Sequence, residues 1–266
     1  MFDLARLPKS IARRIAGLTW KCDDIGMSDS TILLFDDRVL KIEKASRSSE
    51  NELKLLVWLD GKVPVPKIIE AETLDGYSFL LMSRLTGEMA CSDNSLQHIE
   101  DTVRALANGL KQLWQIDISS CPCSNKISEK LRQAKYNIEK GLVHTDNFNP
   151  ETFSSEGFKD VSDLYKYLDR NRPQEDIVFS HGDFCLPNVF VSGPVATGFL
   201  DWGNGGVADR WQDIALCVRS LRYNYIDFAE YGENEYEKYK KQLFLEIGLE
   251  PDEAKIRYYI LLDELF

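Results

Sequence analysis

The sequence is short of basic residues: 32 Lys and Arg stand against 43 Asp and Glu, a formal net charge of −11 over 266 residues. Nucleic-acid binding normally shows as a basic stripe on a basic domain, so this balance excludes that class and favours cationic small molecules. Long hydrophobic runs are missing as well. The longest apolar stretches, such as 55–59, and shorter ones such as 79–82, fall far short of the roughly 18 residues that a membrane span needs. The stretch 4–15 mixes Arg6, Lys9, Arg13 and Arg14 with Leu4, Leu7, Ile11 and Ile15 but has no apolar h-region, so it reads as a surface helix and not a targeting segment. The six cysteines are scattered, and the one close pair, Cys121 and Cys123, lacks the Cys-x-x-Cys spacing of a zinc site. Reduced thiols and a cytoplasmic location without membrane association are expected. There is no internal repeat and no low-complexity tract. What is present, 44% apolar and 11% aromatic residues, is enough for a folded, soluble globular protein.

The texture changes along the chain. Residues 31–35 and 38–42 are short apolar runs around Asp36 and Asp37, a hairpin pattern. A helix is predicted from Ser48 or Ser49 to Leu59, stopped near Gly61, followed by strands at 67–70 and 77–82. After Ser83 helical periodicity dominates, at 95–116, 126–140, 160–170, 208–222, 233–247 and 252–265, with one β-like patch at 177–201. The fold class is therefore α+β with two lobes: a small β-rich lobe over 1–85 and a larger, mostly helical lobe over 86–266. Nearly all the net negative charge lies in the second.

Chemistry concentrates in Phe179-Ser-His-Gly-Asp-Phe-Cys-Leu-Pro-Asn188 and Phe199-Leu-Asp-Trp-Gly203. Asn188 follows Asp183 by five residues, and Asp201 follows Asn188 by thirteen after a predicted hairpin. That order, Asp-x-x-x-x-Asn and then Asp-x-Gly, recurs in phosphotransferases of the protein-kinase type. Phosphoryl transfer needs a carboxylate to orient the attacking hydroxyl and hard oxygen ligands to hold Mg²⁺ against the nucleotide phosphates. Asp183 suits the base, and Asn188 and Asp201 the metal. In the first lobe Lys41 lies on a predicted strand and Glu52 on the helix that follows, the order of a phosphate-contacting lysine aimed by a carboxylate; Glu50 is the competing partner. No Gly-x-Gly-x-x-Gly precedes Lys41. Gly26, Met27 and Ser28 form the only candidate phosphate cradle, which argues for a small-molecule kinase over a protein kinase. His181 reads as a loop-positioning residue, Asp213 and Arg219 as braces, and Phe199, Trp202, Trp211, Leu261 and Leu262 as core.

His181-Gly-Asp183 with Asn188, Gly198-Phe-Leu-Asp201-Trp-Gly203, the run 208–219 and Tyr258-Tyr-Ile-Leu-Leu-Asp-Glu-Leu-Phe266 together resemble the aminoglycoside 3′-phosphotransferases. The resemblance implies a protein-kinase-like bilobal fold, a bacterial resistance enzyme, ATP with GTP as the alternative nucleotide, Mg²⁺, a monomer and a cationic aminoglycoside acceptor. It implies a hinge from Ser83 to Leu85 at the nucleotide, and drug contacts from Asp263, Glu264, the carboxylate of Phe266, Glu151 and Asp227. The His-Gly-Asp motif is shared with choline, homoserine and macrolide kinases, so those acceptors stand as alternatives, and a nucleotide-binding pseudokinase as a further one. Three departures stand out: the loop 184–187 resembles one branch and the C-terminal helix another, Val39 replaces an aromatic residue found in some relatives, and Asn204 replaces an Arg.

Overall fold

Five antiparallel strands make the first lobe: β1 (Lys21–Cys22), β2 (Thr31–Leu34), β3 (Arg38–Lys44), β4 (Ile68–Leu74) and β5 (Tyr77–Ser83), in the order β1-β2-β3-β5-β4. The computed structural model describes residues 3–22, 30–143, 148–149, 152–154 and 157–266, with nothing taken from the side chain of Ala5. Side-chain alternation sorts β3 into two faces. Leu40 and Ile42 join Leu33, Phe35, Phe79 and Leu81 in a core behind the sheet, which leaves Val39 and Lys41 on the opposite face. Helix α1 (Lys9–Ile15) is the surface helix expected there: Lys9, Arg13 and Arg14 are exposed, while Ile11 is fully buried in that rear core and fixes the helix against the sheet.

Helix α2 (Arg47–Leu59) starts slightly before the apolar pattern because Ser46 caps it. The Ser49 N–H donates to the Ser46 hydroxyl at 3.1 Å, and the Ser46 N–H donates to the Ser49 hydroxyl at 2.9 Å. Glu52, Leu55, Leu56 and Leu59 share its buried stripe.

The second lobe holds β6 (Glu88–Met89), α3 (Asp93–Gln97), α4 (Ile99–Trp114), α5 (Ile127–Lys140), α6 (Val161–Arg170), β7 (Ile177–Ser180), β8 (Val189–Ser192), β9 (Val195–Phe199), β10 (Gly206–Asp209), α7 (Arg210–Arg222), α8 (Glu233–Ile247) and α9 (Glu253–Asp263). The helix predicted over 95–116 divides at His98, where the Thr102 hydroxyl donates to the Ser95 carbonyl at 2.7 Å and the His98 ring nitrogen faces the Asn94 carbonyl at 2.9 Å. The helix predicted from 208 begins at Arg210. Gly206–Asp209 is drawn into an antiparallel pair with β7 instead, and Asp209 caps α7 by accepting from the Trp211 N–H at 3.2 Å. After α7 the chain passes through a π-helical turn, Tyr223–Phe228. The main core runs from Leu55 and Leu59 through α4 to Phe179, Trp202, Ile214 and Leu262, so one apolar body spans both lobes. They approach closely at Gly203, where a Cβ would lie 2.0 Å from the Ser48 hydroxyl. A glycine there lets α2 rest against the 202–204 turn.

Candidate active site

The loop that follows β7 is held from below by α7. Asp213 is fully buried, and its two oxygens accept from the backbone N–H groups of His181 (2.8 Å) and Gly182 (2.9 Å). Gln212 donates to the Gly182 carbonyl at 2.9 Å. Burial raises the Asp213 carboxyl pKa, and the neighbouring His181 side chain and these N–H donors pull against that rise. The imidazole of His181 is buried against Trp202, centroids 4.4 Å apart, and its Nδ1 takes the Asp183 N–H at 3.4 Å. It therefore shapes the backbone. Gly182 has φ 81, and a Cβ there would meet the Asn204 carbonyl oxygen at 1.7 Å. Gly182→Ala is accordingly expected to lower stability by at least about 2 kcal/mol and to reduce turnover, with thermal melting and steady-state rates as the checks.

Asp183 is gripped on both carboxylate oxygens. The Cys185 thiol donates to Oδ1 at 2.9 Å, and Asn188 Nδ2 donates to Oδ2 at 3.0 Å and to the Asp183 carbonyl at 3.0 Å. Because both targets are acceptors, the Asn188 amide must turn its nitrogen to Asp183 and its oxygen outward. The Asn188 carbonyl takes the Leu200 N–H at 2.9 Å, which sets Asn188 beside Asp201 across the base of the β8–β9 hairpin. Asp201 sits in the left-handed region at φ 60, a conformation that Asp tolerates better than most residues. Burial and the Asp183 charge push the Cys185 thiol well up, so it stays an S–H donor at neutral pH.

Lys41 brings the first lobe to this loop. Its Nζ lies 2.8 Å from Glu52, 3.0 Å from Asp201 and 3.6 Å from Glu43. Burial works against its charge, but Glu52, then Asp201, then Glu43 outweigh burial and hold the ammonium above its ordinary range. Glu52 is buried, whereas Glu50 is exposed and pairs with Lys54 at 3.8 Å. The donor set fits a magnesium ion: an outward amide oxygen on Asn188 beside a half-exposed Asp201 carboxylate gives two hard ligands with room for water and phosphate oxygens. Among the described residues no group of three or more His, Cys, Asp or Glu could hold a metal.

The other expected site residues fall in three places. At the hinge, the Ser83 hydroxyl accepts from the Lys67 N–H at 2.9 Å and the Ser83 N–H donates to the Lys67 carbonyl at 2.9 Å, while Leu85 packs so closely over Gly198 that a Cβ there would lie 2.7 Å from it. At the end of α9, Asp263 pairs with Arg219 at 2.7 Å. Glu264 Oε1 accepts from the Thr152 hydroxyl (3.0 Å) and the Asn149 N–H (3.1 Å), and its buried Oε2 has no hydrogen-bond partner among the described residues. The Phe266 ring lies 4.9 Å from the ammonium of Lys130, a buried lysine whose amine burial pushes down although Asp263, Asp183 and Asp213 oppose the shift. Asp227 is on the π-helical turn and meets Arg222 at 3.7 Å. Gly26, Met27, Ser28 and Glu151 lie outside the described residues. Cys185, Glu43 and Lys130 did not emerge from motif spacing; for Lys130 a signal existed, since it shares the buried face of α5 with Ile127, Leu131 and Ala134.

A model of the phosphotransferase enzyme family matches residues 23–258. The chain belongs to this family. It is 41% identical over 220 residues to an aminoglycoside 3′-phosphotransferase of Enterococcus faecalis, covering 82% of this chain and 78% of the relative. It is 40% identical over 223 residues to one of Campylobacter jejuni, covering 84% and 83%. Among solved structures, an aminoglycoside-3′-phosphotransferase of type VIII aligns with TM-score 0.79 at 25% identity over 97% of both chains. An aminoglycoside phosphotransferase of Streptomyces rimosus in complex with ADP and streptomycin aligns with TM-score 0.82 at 21% identity, over 100% of this chain and 99% of that one. The two-lobed α+β architecture of this phosphotransferase is the kinase-like fold of those structures.

Proposed function

We propose that this phosphotransferase moves the γ-phosphoryl group of ATP to the 3′-hydroxyl of kanamycin- and neomycin-type aminoglycosides, as a monomeric resistance enzyme of the bacterial cytoplasm. The observation that carries the reading is the convergence of Lys41, Glu52 and Asp201 on one side with Asp183 and Asn188 on the other, beside the acidic end of α9. The relatives at 40–41% identity support the acceptor class. Intact Lys41, Asp183, Asn188 and Asp201 speak against a pseudokinase. No helix among the described residues is long and apolar enough to cross a membrane.

In this reading residues 1–85 bind the nucleotide between β3, Ser83 and Leu85, and residues 86–266 supply the acceptor site. Glu52 aims Lys41 at the phosphates, as in other kinase-type enzymes. Asp183 orients the acceptor hydroxyl and takes its proton as the oxygen attacks. Asn188 Oδ1 and Asp201 hold Mg²⁺, which when bound neutralises charge on the phosphates. Val39, on the same strand face as Lys41, offers adenine or guanine a small aliphatic contact, so GTP is an alternative donor. Offering kanamycin, choline, homoserine and a macrolide side by side and measuring ADP release tests the reading: kanamycin should dominate, and a rate confined to any other acceptor would overturn it.

Asp263 and Glu264 are proposed to receive drug ammonium groups. Opposite unit charges about 4 Å apart near a surface attract by roughly 4 kcal/mol before desolvation. Asp263→Asn together with Glu264→Gln is expected to raise the aminoglycoside KM about tenfold or more, equivalent to at least about 1.4 kcal/mol, with ATP affinity unchanged. The wild-type drug KM should also rise with salt. Point variants serve better than deleting residues 263–266, because Leu265 is fully buried and its carbonyl accepts from Asn137 at 3.0 Å. An unchanged drug KM in the double variant would place the acceptor site elsewhere.

A further inference from the structure

We infer that Cys185 is a positioning residue for the general base, an assignment that rests on the role proposed above for Asp183. The loop from Asp183 to Asn188 closes on itself. The Cys185 N–H donates to the Asp183 carbonyl at 2.8 Å, and the Asn188 N–H donates to the Cys185 carbonyl at 2.9 Å. Within this turn the Asp183 carboxylate receives one donor on each oxygen, the thiol on Oδ1 and the Asn188 amide on Oδ2.

Two fixed donors do what one cannot. A carboxylate held at a single oxygen can still swing about its Cβ–Cγ bond, whereas contacts on both oxygens fix its plane, and each oxygen keeps a lone pair for an incoming hydroxyl. Orientation of this kind is where a positioned base gains its effectiveness, because the acceptor oxygen must be in line with the phosphoryl group as its proton leaves. A thiol is a weak donor, so it orients the base while drawing little charge from it. Packing alone does not account for an S–H aimed at a carboxylate oxygen 2.9 Å away. Charged groups that act on this pair, Lys130 on α5, Arg219 on α7 and Asp263 on α9, come from three different helices. The thiol is thus the local hold on Asp183 Oδ1.

The test compares Cys185→Ala with Cys185→Ser in the full chain, by kcat, by KM for kanamycin and for Mg-ATP, and by melting temperature. Loss of one hydrogen bond to a charged group predicts that the Ala variant loses about tenfold in kcat, with both KM values within about twofold, while Ser restores most of kcat because its hydroxyl can donate in the same direction. Should the Ala variant lose its melting transition, Cys185→Val fills the space without a donor and repeats the comparison. Wild-type kcat in the Ala variant, equal losses in Ala and Ser, or a change in KM alone would overturn the inference. If the wild type phosphorylates none of the acceptors offered, the acceptor reading fails. The Cys185 assignment is then read from acceptor-independent ATP hydrolysis, where Asp183 orients water and the same Ala-to-Ser pattern is expected.

Discussion

Asp183→Asn is expected to leave the protein folded and able to bind Mg-ATP while lowering kcat by about 10²–10⁴, the usual contribution of a positioned general base. The amide keeps the size and shape of the carboxylate. The loop around it is also secured independently, by Asp213 on the N–H groups of His181 and Gly182 and by Gln212 on the Gly182 carbonyl. What the variant gives up is the ability to take the hydroxyl proton. One of its terminal atoms also becomes a donor facing either the Cys185 thiol or the Asn188 amide, which disturbs the local hold without reaching the core. The comparison requires ADP release under saturating substrates, with circular dichroism and a melting curve to establish folding. Turnover close to wild type in a folded Asp183→Asn protein would remove Asp183 from the mechanism.

Asp201→Ala should act at a different step, weakening Mg-nucleotide binding and turnover together. A metal ligand at a transferring phosphate contributes several kcal/mol, so a fall of about 10² or more in kcat/KM is expected. Two effects must be separated. At φ 60 an alanine costs roughly 1–2 kcal/mol of backbone strain, so part of any loss in the Ala variant is conformational. Asp201→Asn tolerates that backbone better and removes only the charge. Lys41 retains Glu52 at 2.8 Å in either variant, so the first lobe keeps its ion pair. Titration calorimetry with ATP, in the presence and absence of Mg²⁺, reads the metal dependence directly. Unchanged Mg-ATP affinity with normal turnover in both variants would sink the metal role for Asp201.

How much of this was legible beforehand depended on how local the cause was. Helices α5 to α9 follow from apolar periodicity within a few residues of where they occur, because each has its own buried stripe and its own stop. Helix α2 and its buried Glu52 were equally readable, since Glu52 falls on the same face as Leu55, Leu56 and Leu59. Strand β10 was not: nothing in Gly206–Asp209 distinguishes it from the start of α7 until β7 lies alongside to complete its hydrogen bonds. The break at His98 likewise depends on side chains that take carbonyls a helix would otherwise use.

The sequence by itself determined the chemistry on offer. Asp183, Asn188 and Asp201 stand at spacings that one loop and one hairpin bring together, with a lysine and a glutamate in an earlier strand and helix, and those separations are enforced by short chain connections. The tertiary structure alone decided what surrounds that chemistry. Glu43 joins Glu52 and Asp201 around Lys41, Arg219 claims Asp263, Glu264 turns inward to Thr152, and Lys130 is buried against the Phe266 ring. Most of these partners are separated by more than forty residues. Their charges and hydrogen bonds therefore take effect only once packing has closed the distance, and no local pattern in the chain announces them.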